Sequence, residues 1–237
     1  MKIKSLPLLI VSTIISSMPA GAATLTFAAP TLISGDANVS TQGAFDRAYN
    51  FAGSTATVNT VTFTGVAAND QSNTITFGAT SDTVVSNGAV NGAGYGSGDA
   101  PYNDLSSDYK GILGEAIWND GGPATLTLTL NGLTLGQQYL FQTWTNDSRS
   151  FGANRSGSIT AGNSVILDYN NTDASGGLGQ FVIGTFIADA TSQVITYESN
   201  NSMINAVQLR AIPEPGSAAL LGMVGVAALI RRRRLSW

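Results

Sequence analysis

The 237-residue sequence contains no cysteine and no histidine. Their absence excludes disulfides, thiolate nucleophiles, Cys/His zinc sites and every mechanism that relies on an imidazole base. Charged residues are also scarce, at 11% against roughly 25% in ordinary soluble proteins. Gly, Ser, Thr, Asn and Ala take their place, which suits an exported β protein better than a cytosolic enzyme. Without disulfides, such a protein must draw its stability from a core large enough to stand alone.

The formal net charge of −4 conceals a segregation. Six of the eleven basic residues are terminal: Lys2, Lys4 and Arg231 to Arg234. Between Ala23 and Ile212 five basic residues face fourteen acidic ones, a net −9. Phosphate binding needs a basic face, so nucleic acid is excluded as a partner. At the N-terminus a basic Met1-Lys-Ile-Lys start precedes an apolar stretch, Leu6 to Ile15, and the small residues Pro19 to Ala23. That order predicts a signal peptide over 1–23, cut by signal peptidase after Ala22 or Ala23.

The C-terminus reads Pro213-Glu214-Pro215, then fifteen apolar or small residues from Gly216 to Ile230, then Arg231, Arg232, Arg233 and Arg234. As a helix the apolar stretch is about 22 Å long at about 1.5 Å per residue, short of the roughly 30 Å hydrocarbon core. It is a marginal span whose arginines would hold their end in the cytoplasm. Motif, short apolar helix and terminal charge together resemble the PEP-CTERM sorting signal of Gram-negative bacteria, over residues 212–237. The resemblance implies transient membrane insertion, recognition by an exosortase-type membrane protease, cleavage near Pro213 to Pro215, and transfer to the cell surface or an extracellular polysaccharide matrix. A plain C-terminal anchor is the competing reading.

Between these signals, short β-branched and aromatic runs alternate with Gly, Asn and Asp clusters, an all-β pattern. Leu126, Leu128 and Leu130 alternate with threonines, so one face packs and the other meets water. Ala124–Leu130 and Gln138–Trp144, with Asn131-Gly132 between them, form the clearest expected hairpin. Asn87 to Asp104 is expected to be a long featureless loop. About ten to twelve strands predict one domain, residues 24–211, an antiparallel β-sandwich of jelly-roll type flanked by the signal peptide and a short apolar helix. Leu133 to Tyr139, Thr145 to Arg149, Gly179 to Thr185 and Asn205 to Arg210 are similar to galactose-binding-like and carbohydrate-module sandwiches. That resemblance implies a fold and a tendency toward glycan or matrix interaction.

The favoured ligand site is Trp144 with Asn146, Asp147 and Arg149, and Trp118 as a second aromatic. Sugars stack on aromatic faces while amides, carboxylates and guanidinium groups hydrogen-bond their hydroxyls. The competing reading is a core tryptophan followed by an Asn-Asp turn in which Arg149 bridges to Asp147. No cofactor is expected. Calcium is the one metal that an oxygen-bearing loop could take, at Asp168, Asn170 and Asp173. No catalytic residue is assigned, and the chain is not expected to be an enzyme. The alternatives to a structural or glycan-binding protein are a glycoside hydrolase using Glu115 and Glu198, and a surface coat with no ligand.

Overall fold

The computed structural model describes residues 23–150 and 154–213, so Ala22, Glu214, Pro215, Arg231 to Arg234 and the expected C-terminal helix lie outside the described residues. The first strands are β1 (Thr26–Phe27), β2 (Thr31–Leu32), β3 (Ala44–Phe51), β4 (Ala56–Val58), β5 (Val61–Val66), β6 (Thr74–Phe77), β7 (Asp82–Ser86) and β8 (Asn91–Gly94). One short helix, α1 (Ser107–Leu113), precedes the long β9 (Glu115–Asn131) and then β10 (Gln138–Thr145). The remaining strands are β11 (Ser156–Ala161), β12 (Asn163–Asp168), β13 (Gln180–Ile187), β14 (Ser192–Ile204) and β15 (Ala206–Ile212). The fold is all-β.

The strands make two sheets. The first has the order β1-β13-β10-β15-β3-β5-β4, with β2 beside β1 along β13; the second runs β12-β11-β14-β9-β7-β6, with β8 on β9. The ladders are antiparallel except β3 with β5, which are parallel, so the sheets are not purely antiparallel as expected. The cause is local. β4 and β5 are joined through Asn59 and Thr60, both at positive φ (46° and 66°), as a two-residue type I′ turn requires. That hairpin folds back and lays β5 along β3 in the same direction.

The expected hairpin of Ala124–Leu130 with Gln138–Trp144 is not formed. β9 pairs with β14 and β7, while β10 pairs with β13 and β15 in the other sheet. The 132–137 turn therefore carries the chain across the core from one sheet to the other. The expected loop over 87–104 is also corrected, since it contains β8 and a 3₁₀ turn at Tyr102–Asp104.

The main core lies between the sheets. Leu126, Leu128, Leu130, Val84, Ile195 and Tyr197 from one side meet Phe51, Tyr139, Phe141, Val182, Phe186 and Val207 from the other. The threonines of β9 face outward, partly exposed. β10 keeps no such alternation, because every side chain from Tyr139 to Thr145 is buried. A second core explains it. Trp144, Phe63 and Phe181 project from the outer face of the first sheet and are covered by Tyr109, Ile112 and Leu113 of α1 and by Ile33 and Val39. Tyr109, Ile112 and Leu113 are spaced i, i+3, i+4 and so share one helix face. Ser106 caps α1, its Oγ accepting from the Tyr109 amide at 3.0 Å and donating to Asp36 at 2.6 Å.

Leu128→Ala is expected to lower stability by about 2–5 kcal/mol, whereas Thr127→Ala on the open face changes it by no more than about 0.5 kcal/mol. Urea midpoints at constant m-value test the difference.

Candidate functional site

The site begins where β10 leaves its sheet. Trp144 is wholly buried. Its Nε1 donates to Tyr109 Oη at 3.0 Å, and its ring meets Phe63 edge-on at 5.6 Å. The next side chains, Asn146 and Asp147, are also without accessible surface. Asn146 Nδ2 donates to Ser148 Oγ at 3.0 Å, and its Oδ1 accepts from the Gly179 amide at 2.9 Å. Its amide donates to Asn205 Oδ1 at 2.7 Å. Asn205 Nδ2 in turn reaches the carbonyls of Leu113 at 2.8 Å and Glu115 at 3.0 Å.

Asp147 lies at the centre of this arrangement. Arg149 donates to it through Nε and Nη2 at 2.8 and 2.9 Å, and Arg155 through Nη1 at 3.1 Å. The Arg149 guanidinium lies 4.2 Å over the Tyr95 ring. The hydrogen bonds that Arg149 donates to Asp147 hold it above the ordinary arginine value, against the opposing effect of burial. Burial likewise raises the phenols of Tyr95 and Tyr109 above the usual tyrosine range. A carboxylate taking bidentate and second-guanidinium bonds at a loop base is a structural clamp, and it matches the turn with an Arg149–Asp147 bridge.

The expected open sugar platform is therefore replaced by an interior one. Trp144, Asn146 and Asp147 are covered, and their polar groups are taken by Tyr109, Ser148, Gly179 and the two arginines. Trp118 belongs to the other sheet and packs with Tyr95, Ala116, Tyr169 and Met203; its buried Nε1 has no partner. At the third loop, Asn170 Nδ2 donates to the carbonyls of Asp147, Arg149 and Ala174. Its Oδ1 accepts from Thr172 at 3.1 Å. Asp168 accepts from the Asn170 amide at 3.0 Å and Asp173 from the Asn154 amide at 2.5 Å. These oxygens fasten turns, and no group of three or more acidic side chains gathers at one point among the described residues.

Glu115 and Glu198 are also kept apart. Glu198 stands opposite Thr125, Ile204 opposite Ile117, and Glu115 two residues further along β9. Eight residues of ladder at about 3.3 Å each separate them by roughly 25 Å. One glycosidic bond needs two carboxylates within about 10 Å, so this pair cannot serve as the hydrolase alternative requires. Sequence reasoning missed Tyr109, Ser148, Asn205 and the second arginine of the clamp, Arg155. Ser148 and Asn205 lie in stretches that carry the resemblance but have no role assigned there, Tyr109 and Arg155 carry no motif, and only their convergence in space reveals all four.

A solvent-facing trough of about 570 Å³ at this end is lined by Ser54, Ser97, Asn103, Lys110 and Glu115 together with several glycines. Lys110 Nζ donates to the Asn103 side chain at 3.1 Å.

Asp147→Asn is expected to cost about 3 kcal/mol or more by leaving two guanidinium groups against a buried amide, read as a lowered urea midpoint. Alkaline pH supplies a second test. Burial is the largest cause that pushes Tyr49, Tyr102 and Tyr169 from 10.0 up to about 12. A raised folded value means full stabilisation below pH about 10 and its progressive loss between about 10 and 12. Phenolate absorbance from these tyrosines should therefore rise together with the loss of circular dichroism in that window, not ahead of it.

Comparison with protein-family models, with curated proteins and with solved structures gives no match to this chain.

Proposed function

We propose that the chain is an exported surface or extracellular-matrix protein, delivered by a PEP-CTERM-type tail, whose jelly-roll-type sandwich has a structural role. The observation that carries this reading is the end of the last strand among the described residues. β15 ends at Ile212, one residue before the Pro213-Glu214-Pro215 motif. Cutting at the motif removes the apolar stretch and all four terminal arginines without touching any described strand.

The other end supports the same reading. Ala23 is 8% exposed and belongs to the inter-sheet core, while the Leu25 amide donates to the Ala161 carbonyl at 2.9 Å. Cleavage after Ala22 would leave this packing intact, and cleavage after Ala23 would remove one core residue. The burial of Trp144 to Ser148, with Arg149 engaged on Asp147, favours a structural role over a lectin-like one. The trough beside Asn103 and Lys110 keeps a glycan-binding reading alive at a different place, and a glycan array with Asn103→Ala as control separates the two.

The intact mass of the mature chain from fractionated producing cells tests the proposal. It is expected to begin at Ala23 and to lack Arg231 to Arg234, with the protein in the surface or matrix fraction. A mass that retains the arginines makes the tail an anchor instead.

A further inference from the structure

The strand ladders place both chain ends at one end of the sandwich. Ile187 stands opposite Gln138, and Gln138 opposite Ile212. Thr26 stands opposite Thr185, with β1 antiparallel to β13. Two residues before Thr26 the chain therefore reaches the same transverse row as Ile187 and Ile212, three strand spacings from β15. At about 4.8 Å per spacing that is roughly 14 Å. The predicted leader and the sorting tail thus continue from one end of the molecule, close together.

The two ends differ in chemistry. The turns at the tail end, residues 41–43, 59–60, 78–81, 132–137, 162 and 188–191, contain one charged residue, Asp189. The connections at the far end, residues 67–73, 87–90, 95–114, 146–150, 154–155 and 169–179, hold six acidic and three basic residues. The cationic groups near the tail end are turned inward. Arg47 donates to Asn131 O at 2.7 Å, and Arg210 to Gln42 O at 2.9 Å. The tail end exposes three large apolar side chains, Leu135 and Ile187, each 61% accessible, and Phe45, which pairs with Arg210 and is 50% accessible, beside the exposed carboxylates of Asp46 and Asp189.

The tether is short. Three residues, Pro213 to Pro215, separate Ile212 from Gly216, where the apolar stretch begins, so the four Cα steps reach at most about 14 Å when extended. A sandwich held that closely cannot turn its other end toward the bilayer.

We propose that the tail end of the sandwich is a bilayer-facing surface. While the tail is inserted, Leu135, Ile187 and Phe45 sit in the headgroup–acyl boundary, as interfacial apolar side chains do. The acidic far end points away from the anionic headgroups. This orientation rests on the reading of the tail as a membrane-inserted sorting signal. It goes further by naming the face, its lipid partner and the side chains that touch it.

The absence of native cysteine makes single-cysteine labelling direct. The full uncleaved chain is reconstituted in phosphatidylethanolamine/phosphatidylglycerol vesicles. An environment-sensitive dye is placed, one at a time, at Leu135→Cys, Ile187→Cys, Asn103→Cys or Val224→Cys. The expected result is a blue shift and protection from iodide at 135, 187 and 224, with 103 remaining accessible. Protection at 224 with 135 and 187 as accessible as 103 overturns the proposal and leaves the sorting reading standing. Accessibility at 224 overturns both. Protection at 135 and 187 without vesicles identifies a second copy as the occupant and also overturns it. A Phe45→Ser, Leu135→Ser, Ile187→Ser triple variant, checked for native circular dichroism, is expected to partition onto the same vesicles about ten-fold less. Unchanged partitioning contradicts the proposal.

Discussion

The whole structure depends on one strand being covered on both faces. Every side chain of β10 from Tyr139 to Thr145 is buried, so polar residues on it need partners inside the protein. Thr143 accepts from the Tyr197 phenol at 3.0 Å on the side facing the second sheet. On the other side Gln142 Nε2 donates to the Asn38 carbonyl at 2.7 Å, and its Oε1 accepts from the Ser40 amide at 3.0 Å. These bonds hold the 34–43 segment across the outer face of the first sheet. With α1, that segment turns a two-layer sandwich into one with a third, partial layer.

The same strand organises the charged end. As β10 ends, Trp144 is fixed by Tyr109 from α1, and the following residues pass directly into the Asp147 clamp. The segments 95–114, 146–150 and 169–179 are thus pinned to one another without cysteines, by side chains and by backbone hydrogen bonds. The Ser148 amide donates to the Tyr95 carbonyl at 2.8 Å, and the Gly176 amide to the Ser148 carbonyl at 2.8 Å. In a chain without disulfides, buried amides and one shared carboxylate hold long loops together.

What the sequence made legible follows from period and composition. The alternation of Leu126, Leu128 and Leu130 identified β9 and its inner face, because a strand with one wet side shows a period of two. Alternation does not say which strand a strand pairs with, so the turn after Asn131 reads equally well as a hairpin or as a crossing between sheets. α1 escaped because seven residues give too few turns for a helical period to appear. β3, Ala44-Phe-Asp-Arg-Ala-Tyr-Asn-Phe51, escaped because Asp46 and Arg47 disguise an interior strand. Arg47 is 8% exposed and ion-paired with Asp82 at 3.2 Å. At the candidate site the residue types were right and their accessibility was not. Trp, Asn, Asp and Arg serve sugar binding and buried clamps equally, and burial is a property of the whole fold.

The position of β15 has a kinetic consequence. It is the last strand among the described residues, yet it lies in the interior of its sheet, between β10 and β3. It joins parts of the chain up to 169 residues apart, as in the bond from Arg210 to the Thr41 carbonyl. Contacts of such separation form slowly and cannot nucleate early. Until Ala206 to Ile212 is available, β10 and β3 each have an unpaired edge and the slot between them stays empty. A chain that emerges N-terminus first, from a ribosome or through a pore, therefore remains incompletely folded until nearly all of it has passed. The strand that closes the sheet is also the one that borders the sorting motif, so completion of the fold and arrival of the tail are nearly the same event.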